Sequence, residues 1–280
     1  MPILKRVLSY LAAVVVAYLA ILVLARAFEN RLIYFPNYPG RLDGDWQPEG
    51  LRAEDVWLRT EDGVKIHAWW ISAEGAEFTF VAFHGNAGNI AHRADIYRFL
   101  GGLTANVLAV EYRGYGRSEG RPHEQGLYLD ARAAYDYLVR ERKIPPERII
   151  PFGQSLGTAI AADLAASRKV GGVVLEAPFA SLRAIARRVY FFLPGVTLLM
   201  RTRFATGEKL AQTAVPLLVV HCSRDPVLAF ALGKEVYTMA RGPKFFFRIE
   251  GHCHEEAALF AAAEYRAQLL AFLERIRAAR

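Results

Sequence analysis

Only two cysteines occur in the 280 residues, Cys222 and Cys253. So few exclude a scaffold built on disulfides and a zinc site made of four thiolates. The surplus of basic over acidic residues is modest, a net charge of +7. It is not gathered into a basic stripe interleaved with stacking aromatics, and no zinc-finger spacing occurs, so nothing points to a nucleic-acid partner. Heptads sustained over several turns and internal repeats are absent as well, which excludes a coiled coil and a solenoid. Charged residues make up 22% and apolar residues 53%. A disordered or low-complexity chain is excluded by that balance, and there is ample material for a large core. The length suits one α/β domain with a little to spare.

Long hydrophobic runs are scarce too, with one exception. Residues 7–25 carry no charge and are bounded by Lys5-Arg6 and Arg26. As a helix the run spans about 28 Å, close to the hydrocarbon thickness of a bilayer. A cleaved signal peptide is the alternative, with a passable small-x-small site at Ala25-Arg26-Ala27, but the run exceeds a normal signal core. The expectation is therefore a retained single-pass anchor in residues 1–28 and one folded domain in residues 29–280. Lys5, Arg6 and the amino terminus oppose Arg26 and Arg31, a slight lean toward placing the domain on the non-cytoplasmic side.

After a turn-rich linker around residues 37–50, residues 54–60 and 64–71 alternate about Asp62-Gly63 and read as a β-hairpin. Strands are expected at 78–84, 107–112, 149–152, 172–176, 217–221 and 244–249. Helices are expected at 90–100, 124–141, 156–166, 228–239 and 255–277. Apolar strands alternating with helices predict an α/β fold with a mostly parallel sheet covered on both faces. Residues 178–215 interrupt the alternation. This insert joins Tyr190-Phe191-Phe192-Leu193-Pro194 and Leu198-Leu199-Met200 to six basic residues against Glu208 alone. It reads as a small lid, either a core cap or a segment that also rests on a membrane.

The chemistry centres on Gly153-Gln154-Ser155-Leu156-Gly157, a G-x-S-x-G sequence between an expected strand and an expected helix. That is the setting of a nucleophile elbow. A serine hydroxyl at neutral pH needs a base, and the base needs an acid to orient it. In this architecture the order is Ser, acid, His. Two aspartates follow Ser155. Asp163 lies inside the helix after the elbow, whereas Asp225 follows a strand on the expected C-terminal edge of the sheet. Glu176 is the reserve acid, with a structural carboxylate under the insert as its other reading. Two histidines follow Asp225. Gly251 lets the chain turn the next imidazole inward, which favours His252, while His254-Glu255-Glu256 reads as the start of the last helix. Two donors are needed for the tetrahedral intermediate. The backbone N–H groups of Leu156 and Asn86 are expected to supply them. His84 is expected to brace the Asn86 loop, His221 to pack at a strand end, and His67, His92 and His123 to serve no chemistry. His221, Cys222, Cys253 and His254 could also be read as a metal set, but the triad explains that stretch better.

Three motifs carry a resemblance. They are His84-Gly85-Asn86-Ala87-Gly88-Asn89, the stretch Tyr112-Arg113-Gly114-Tyr115-Gly116-Arg117-Ser118, and the elbow at 153–157, joined by Asp225 and His252. Over residues 30–280 the chain resembles membrane-anchored serine hydrolases of the α/β-hydrolase fold, in the branch related to serine aminopeptidase and monoglyceride lipase sequences. The resemblance implies hydrolysis of esters or thioesters on lipid-like or acylated substrates, with no cofactor, no metal and no obligate protein partner. A small acyl ester and membrane lipid are the implied partners. An exopeptidase or amidase on the same triad, or an inactive membrane-tethered binding protein, is the alternative function.

The sequence departs from that family at Cys222, where glycine is usual, and at Cys253-His254, where Asn-Asp is usual. Each cysteine flanks a member of the expected triad. The strands before them should be neighbours, so a disulfide is reachable; two separate buried thiols are the other reading.

Overall fold

The computed structural model describes residues 2–39 and 44–279. The chain opens with α1 (Pro2–Ala27) and the short α2 (Glu29–Ile33). From Ile3 to Ala27 the helix is long and apolar enough to cross a membrane. The hairpin follows as β1 (Glu54–Arg59) and β2 (Lys65–Ile71), antiparallel with Glu54 opposite Trp70 and Arg59 opposite Lys65. Part of the expected linker, residues 40–43, lies outside the described residues. The rest is not loose: Trp46 packs edge-on against His67 and Trp69, with ring centres 5.7 and 6.1 Å away.

The alternating part comprises β3 (Phe78–Phe83), α3 (Ala94–Gly101), β4 (Ala105–Val110), α4 (Glu124–Arg140), β5 (Ile149–Gln154), α5 (Leu156–Ser167) and β6 (Val173–Glu176). The insert then folds as α6 (Leu182–Val189), α7 (Val196–Leu199) and α8 (Thr206–Ala211). β7 (Leu217–Cys222), α9 (Phe230–Met239), β8 (Lys244–Ile249), α10 (Ala257–Phe260) and α11 (Ala262–Ala278) complete the chain. The expected last helix is thus broken at Ala261, and the helix expected from residue 90 begins as a 3-10 turn at Ile90–Arg93.

The eight strands form one sheet in the order β1-β2-β4-β3-β5-β6-β7-β8. Only β1–β2 and β2–β4 are antiparallel. The reason for this fold is in the strand sequences. Successive side chains of a strand point to opposite faces, so a strand apolar at every position needs cover on both sides. β3 (Phe-Thr-Phe-Val-Ala-Phe) is buried throughout. Val81 and Phe83 join one core with Leu175 and Val219, while Phe80 and Ala82 join a second core with Val174 and Val220 on the other face. From β3 the chain goes to β4 on one side and returns to β5 on the other. Such a switch point opens a crevice at the carboxyl ends of the strands, where ligands of open α/β sheets bind.

Candidate active site

Four loops meet at that end of the sheet. The first is the elbow, where Ser155 has φ 49° and ψ −114°, a backbone conformation that costs on the order of 1–3 kcal/mol. The cost is borne because the turn packs too tightly to relax. A Cβ on Gly157 would lie 2.0 Å from the Phe83 carbonyl oxygen, and one on Gly153 would lie 2.4 Å from the Gly157 carbonyl oxygen. Both glycines are therefore required by close backbone approach. The Ser155 N–H donates to the Glu176 carbonyl at 2.9 Å, which fixes the turn to the neighbouring strand.

The second loop follows β7. Asp225 Oδ1 accepts from the N–H groups of Val227 and Leu228 at 2.7 and 2.8 Å. That locks the carboxylate and presents Oδ2 to His254 Nδ1 at 2.7 Å. His221 Nε2 stands 3.4 Å from the same oxygen and 3.0 Å from the Leu228 carbonyl oxygen. Burial opposes ionisation of Asp225, but its bonds with His221 and His254 outweigh burial and hold the carboxyl well below the usual range.

The third loop, after β8, corrects the expected base. His254 Nε2 lies 3.0 Å from Ser155 Oγ, so the imidazole bridging serine and aspartate is His254. His252 is exposed and joins neither. The reason is the length of the β7–β8 ladder. It continues past both strands, with Ser223 N–H bonded to the Ile249 carbonyl at 2.7 Å and Arg224 N–H to the Gly251 carbonyl at 3.0 Å. Gly251, with φ 143°, does turn the chain, but only after that last bond. His252 falls on the rim, Cys253 is buried, and the chain returns to the site at His254. Burial works against protonating His254. The Asp225 bond and charge, with Glu255 and Glu256 adding to them, outweigh it and raise its pKa above the ordinary imidazole value. Cys253 is disulfide-bonded to Cys222 with Cα atoms 5.6 Å apart, within the range such a bridge wants.

The fourth loop follows β3 and carries Asn86. Its carbonyl accepts from Phe35 N–H and from Tyr115 Oη, both at 2.9 Å, and its side-chain amide donates to the Ile33 carbonyl at 3.0 Å. None of these bonds uses its backbone N–H. His84 braces the loop as expected, with Nδ1 2.7 Å from the Gly85 carbonyl oxygen and Nε2 3.1 Å from Glu111 Oε1. Leu156 is the first residue of α5, where backbone N–H groups lack partners within the helix.

Several contributors escaped the sequence reading. Tyr112 Oη donates to the His84 carbonyl at 2.7 Å, so both tyrosines of the 112–118 motif buttress the Asn86 loop. Buried Arg113 anchors that motif through Asp130 at 2.9 Å and Asp62 at 2.6 Å. Glu176 does not reach His254. It accepts from Ala257 N–H at 3.0 Å, Gln154 Nε2 at 3.2 Å and Tyr265 Oη at 3.3 Å, tying the base loop to the elbow's strand. Burial pushes its pKa up to about 8. Glu255 reaches over Gly85, where a Cβ would lie 1.9 Å from Oε1, and pairs with Arg93 at 2.9 Å. Asp163 pairs with Lys209 of the insert at 2.9 Å. His67 is buried beside Asp55 at 2.6 Å, and His123 caps α4 by accepting from Gly126 N–H at 3.1 Å. Apart from the tyrosine spacing and His123, whose partner Gly126 is three residues on, no local pattern marks these residues, because their partners are distant in sequence.

A mostly parallel sheet with a strained serine elbow after β5 defines the class as the α/β-hydrolase fold. Residues 80–213 match the model of the alpha/beta hydrolase family. The chain is 34% identical to the alpha/beta hydrolase domain-containing protein WAV2 of Arabidopsis thaliana, over 94% of this chain and 92% of that protein. It is 29% identical to the lysophosphatidylserine lipase ABHD12 of Danio rerio, over 89% of this chain and 75% of that one. The esterase Pf2001 of Pyrococcus furiosus shares the fold, with a TM-score of 0.69, 22% identity, and 87% of this chain and 97% of that chain covered. The chain belongs to the alpha/beta hydrolase family.

Proposed function

We propose that the chain is a membrane-held serine hydrolase that cleaves carboxylic esters or thioesters of lipid-like substrates. The observation that carries this is the continuous path Ser155 Oγ–His254 Nε2 at 3.0 Å and His254 Nδ1–Asp225 Oδ2 at 2.7 Å, ending on the strained elbow. Neutral His254 takes the hydroxyl proton as Ser155 Oγ attacks the acyl carbon. Asp225 holds the ring in the tautomer that leaves Nε2 free to accept, and stabilises the imidazolium formed. The developing oxyanion is met by the backbone N–H groups of Leu156 and Asn86. His254 then protonates the leaving alkoxide or thiolate. Water enters, His254 takes its proton, and the acyl-serine is hydrolysed to the acid and free Ser155. No step needs a metal or an organic cofactor.

The lipid-like class is supported by the ABHD12 relative, a lysophosphatidylserine lipase, and by the apolar α1 helix. Residues 1–28 form the anchor, residues 29–280 the catalytic domain, and residues 178–215 its lid. A non-cytoplasmic catalytic domain agrees with the Cys222–Cys253 bridge, which needs an oxidising compartment. The test is turnover of p-nitrophenyl esters of graded chain length by the full chain and by Ser155→Ala. Cleavage that favours longer acyl chains and vanishes in Ser155→Ala is expected. Equal turnover by the variant would overturn the reading.

A further inference from the structure

The insert holds an apolar surface that the catalytic reading does not use. Phe191 is 79% exposed, Phe192 67% and Leu198 83%. Three side chains of that size left in water, close together on one short segment, call for a partner. What covers them follows from where the insert sits against α1. The Tyr18 hydroxyl donates to the Pro194 carbonyl, and α7 packs on α1. Residues 3–17 of α1 are exposed, and cover begins at Tyr18, continuing through Leu22, Ala25 and Arg26. That spacing is one face of a helix. Just past the end of α1, the Glu29 carboxylate accepts from the N–H groups of Arg201 and Thr202, at 2.8 Å for the shorter bond. The insert therefore leaves the body, reaches the level of Tyr18, and returns to the level of Glu29.

Tyr18 lies about 10 Å inside the end of the uncharged run, taking 1.5 Å of rise per residue. Apolar segments that lie in a bilayer interface sink by roughly 5–10 Å. We propose that the tip of the insert, residues 189–199, is embedded in the same leaflet as the C-terminal part of α1, with Phe191, Phe192 and Leu198 among the lipid acyl chains. The charges agree in level. Arg203 and Lys209 are paired with Glu208 and Asp163, at 3.0 and 2.9 Å, and belong to the body. Arg187 and Arg188, just before the apolar tip, are exposed and have no carboxylate partner among the described residues. Exposed basic side chains beside an apolar tip suit the level of the headgroups, whereas Arg26, like Arg203 and Lys209, is paired, with Glu29 at 3.7 Å. The protein thus holds its leaflet at two points, and the lid is one of them.

The proposal rests on α1 spanning a membrane. Its test uses the full chain in phosphatidylcholine vesicles whose acyl chains carry bromine. Phe191→Trp and Leu198→Trp each add an indole at the tip, and Leu270→Trp adds one on α11, 41% exposed at the far end of the chain. Emission above that of the wild type should be blue-shifted and largely quenched for the two tip variants, and unquenched for Leu270→Trp. Tip emission that is red-shifted and unquenched, in protein that floats with the vesicles, would overturn the proposal alone. Protein that does not float would overturn the membrane reading of α1 and the proposal with it.

Discussion

A serine hydroxyl hardly ionises at neutral pH, so Ser155 is only as reactive as the imidazole beside it. His254→Ala should therefore cut ester turnover by roughly 10⁴- to 10⁶-fold, as loss of a triad member does elsewhere, while His252→Ala leaves it near the wild-type rate. The reverse pattern would return the base to His252. The pH dependence carries a sign. His254 must be neutral to accept the proton, and its pKa is raised by Asp225, Glu255 and Glu256 against the effect of burial. The acid limb of kcat/KM should then have its midpoint above the ordinary histidine value of about 6.5. Glu256→Gln removes one of those charges and should move the limb to lower pH; no movement in a pH–rate profile would contradict the assignment. Ser155 and Asp225, which meet at one imidazole in the structure, stand out in the sequence because motif and chain order leave few candidates. The choice between His252 and His254 could not, since it depends on two ladder bonds beyond β7 and β8 that no residue pattern announces. The structural reading of Glu176 was legible, but not that it lies under the base loop rather than under the insert.

At the scale of elements, the loops of the acid and the base are joined by Cys222–Cys253, with a sequence separation of 31. Closing a loop of that length stabilises by roughly 3–4 kcal/mol in the chain-entropy model. Thiol counting on denatured, unreduced protein should find none, and reduction should lower the melting temperature. Two free thiols would contradict the bridge. A second junction joins the chain leaving α1 to the Asn86 loop. Phe35 N–H bonds to the Asn86 carbonyl, and the Phe35 carbonyl accepts from Gly88 N–H at 3.3 Å. Phe35→Pro removes that donor, so kcat should fall while the fluorophosphonate label is still taken up. An unchanged kcat would show that Phe35 does not help to place the loop. The sequence marked strands and helices well where apolar patterning is strong, as in β3, β5 and β7. It could not show how residues 29–38 or the insert fold, because their shape is set by contacts with distant parts of the chain: Glu29 with 201–202, Phe35 with 86–88, Lys209 with Asp163.

Across the whole molecule, the crevice at the carboxyl ends of the strands, the elbow within it and the apolar helix at the amino terminus serve one task. On the proposed function, that task is to hold and cut an ester close to the membrane that supplies it. Covalent labelling reads out whether Ser155 is the nucleophile. The full chain in vesicles should be treated with a long-chain fluorophosphonate, digested, and the modified residue located by mass spectrometry. A single phosphonylated residue is expected, Ser155, protected by a competing long-chain ester and lost in Ser155→Ala. Folded, vesicle-bound protein that takes no label, or takes it at another serine, would rule out Ser155 as the nucleophile.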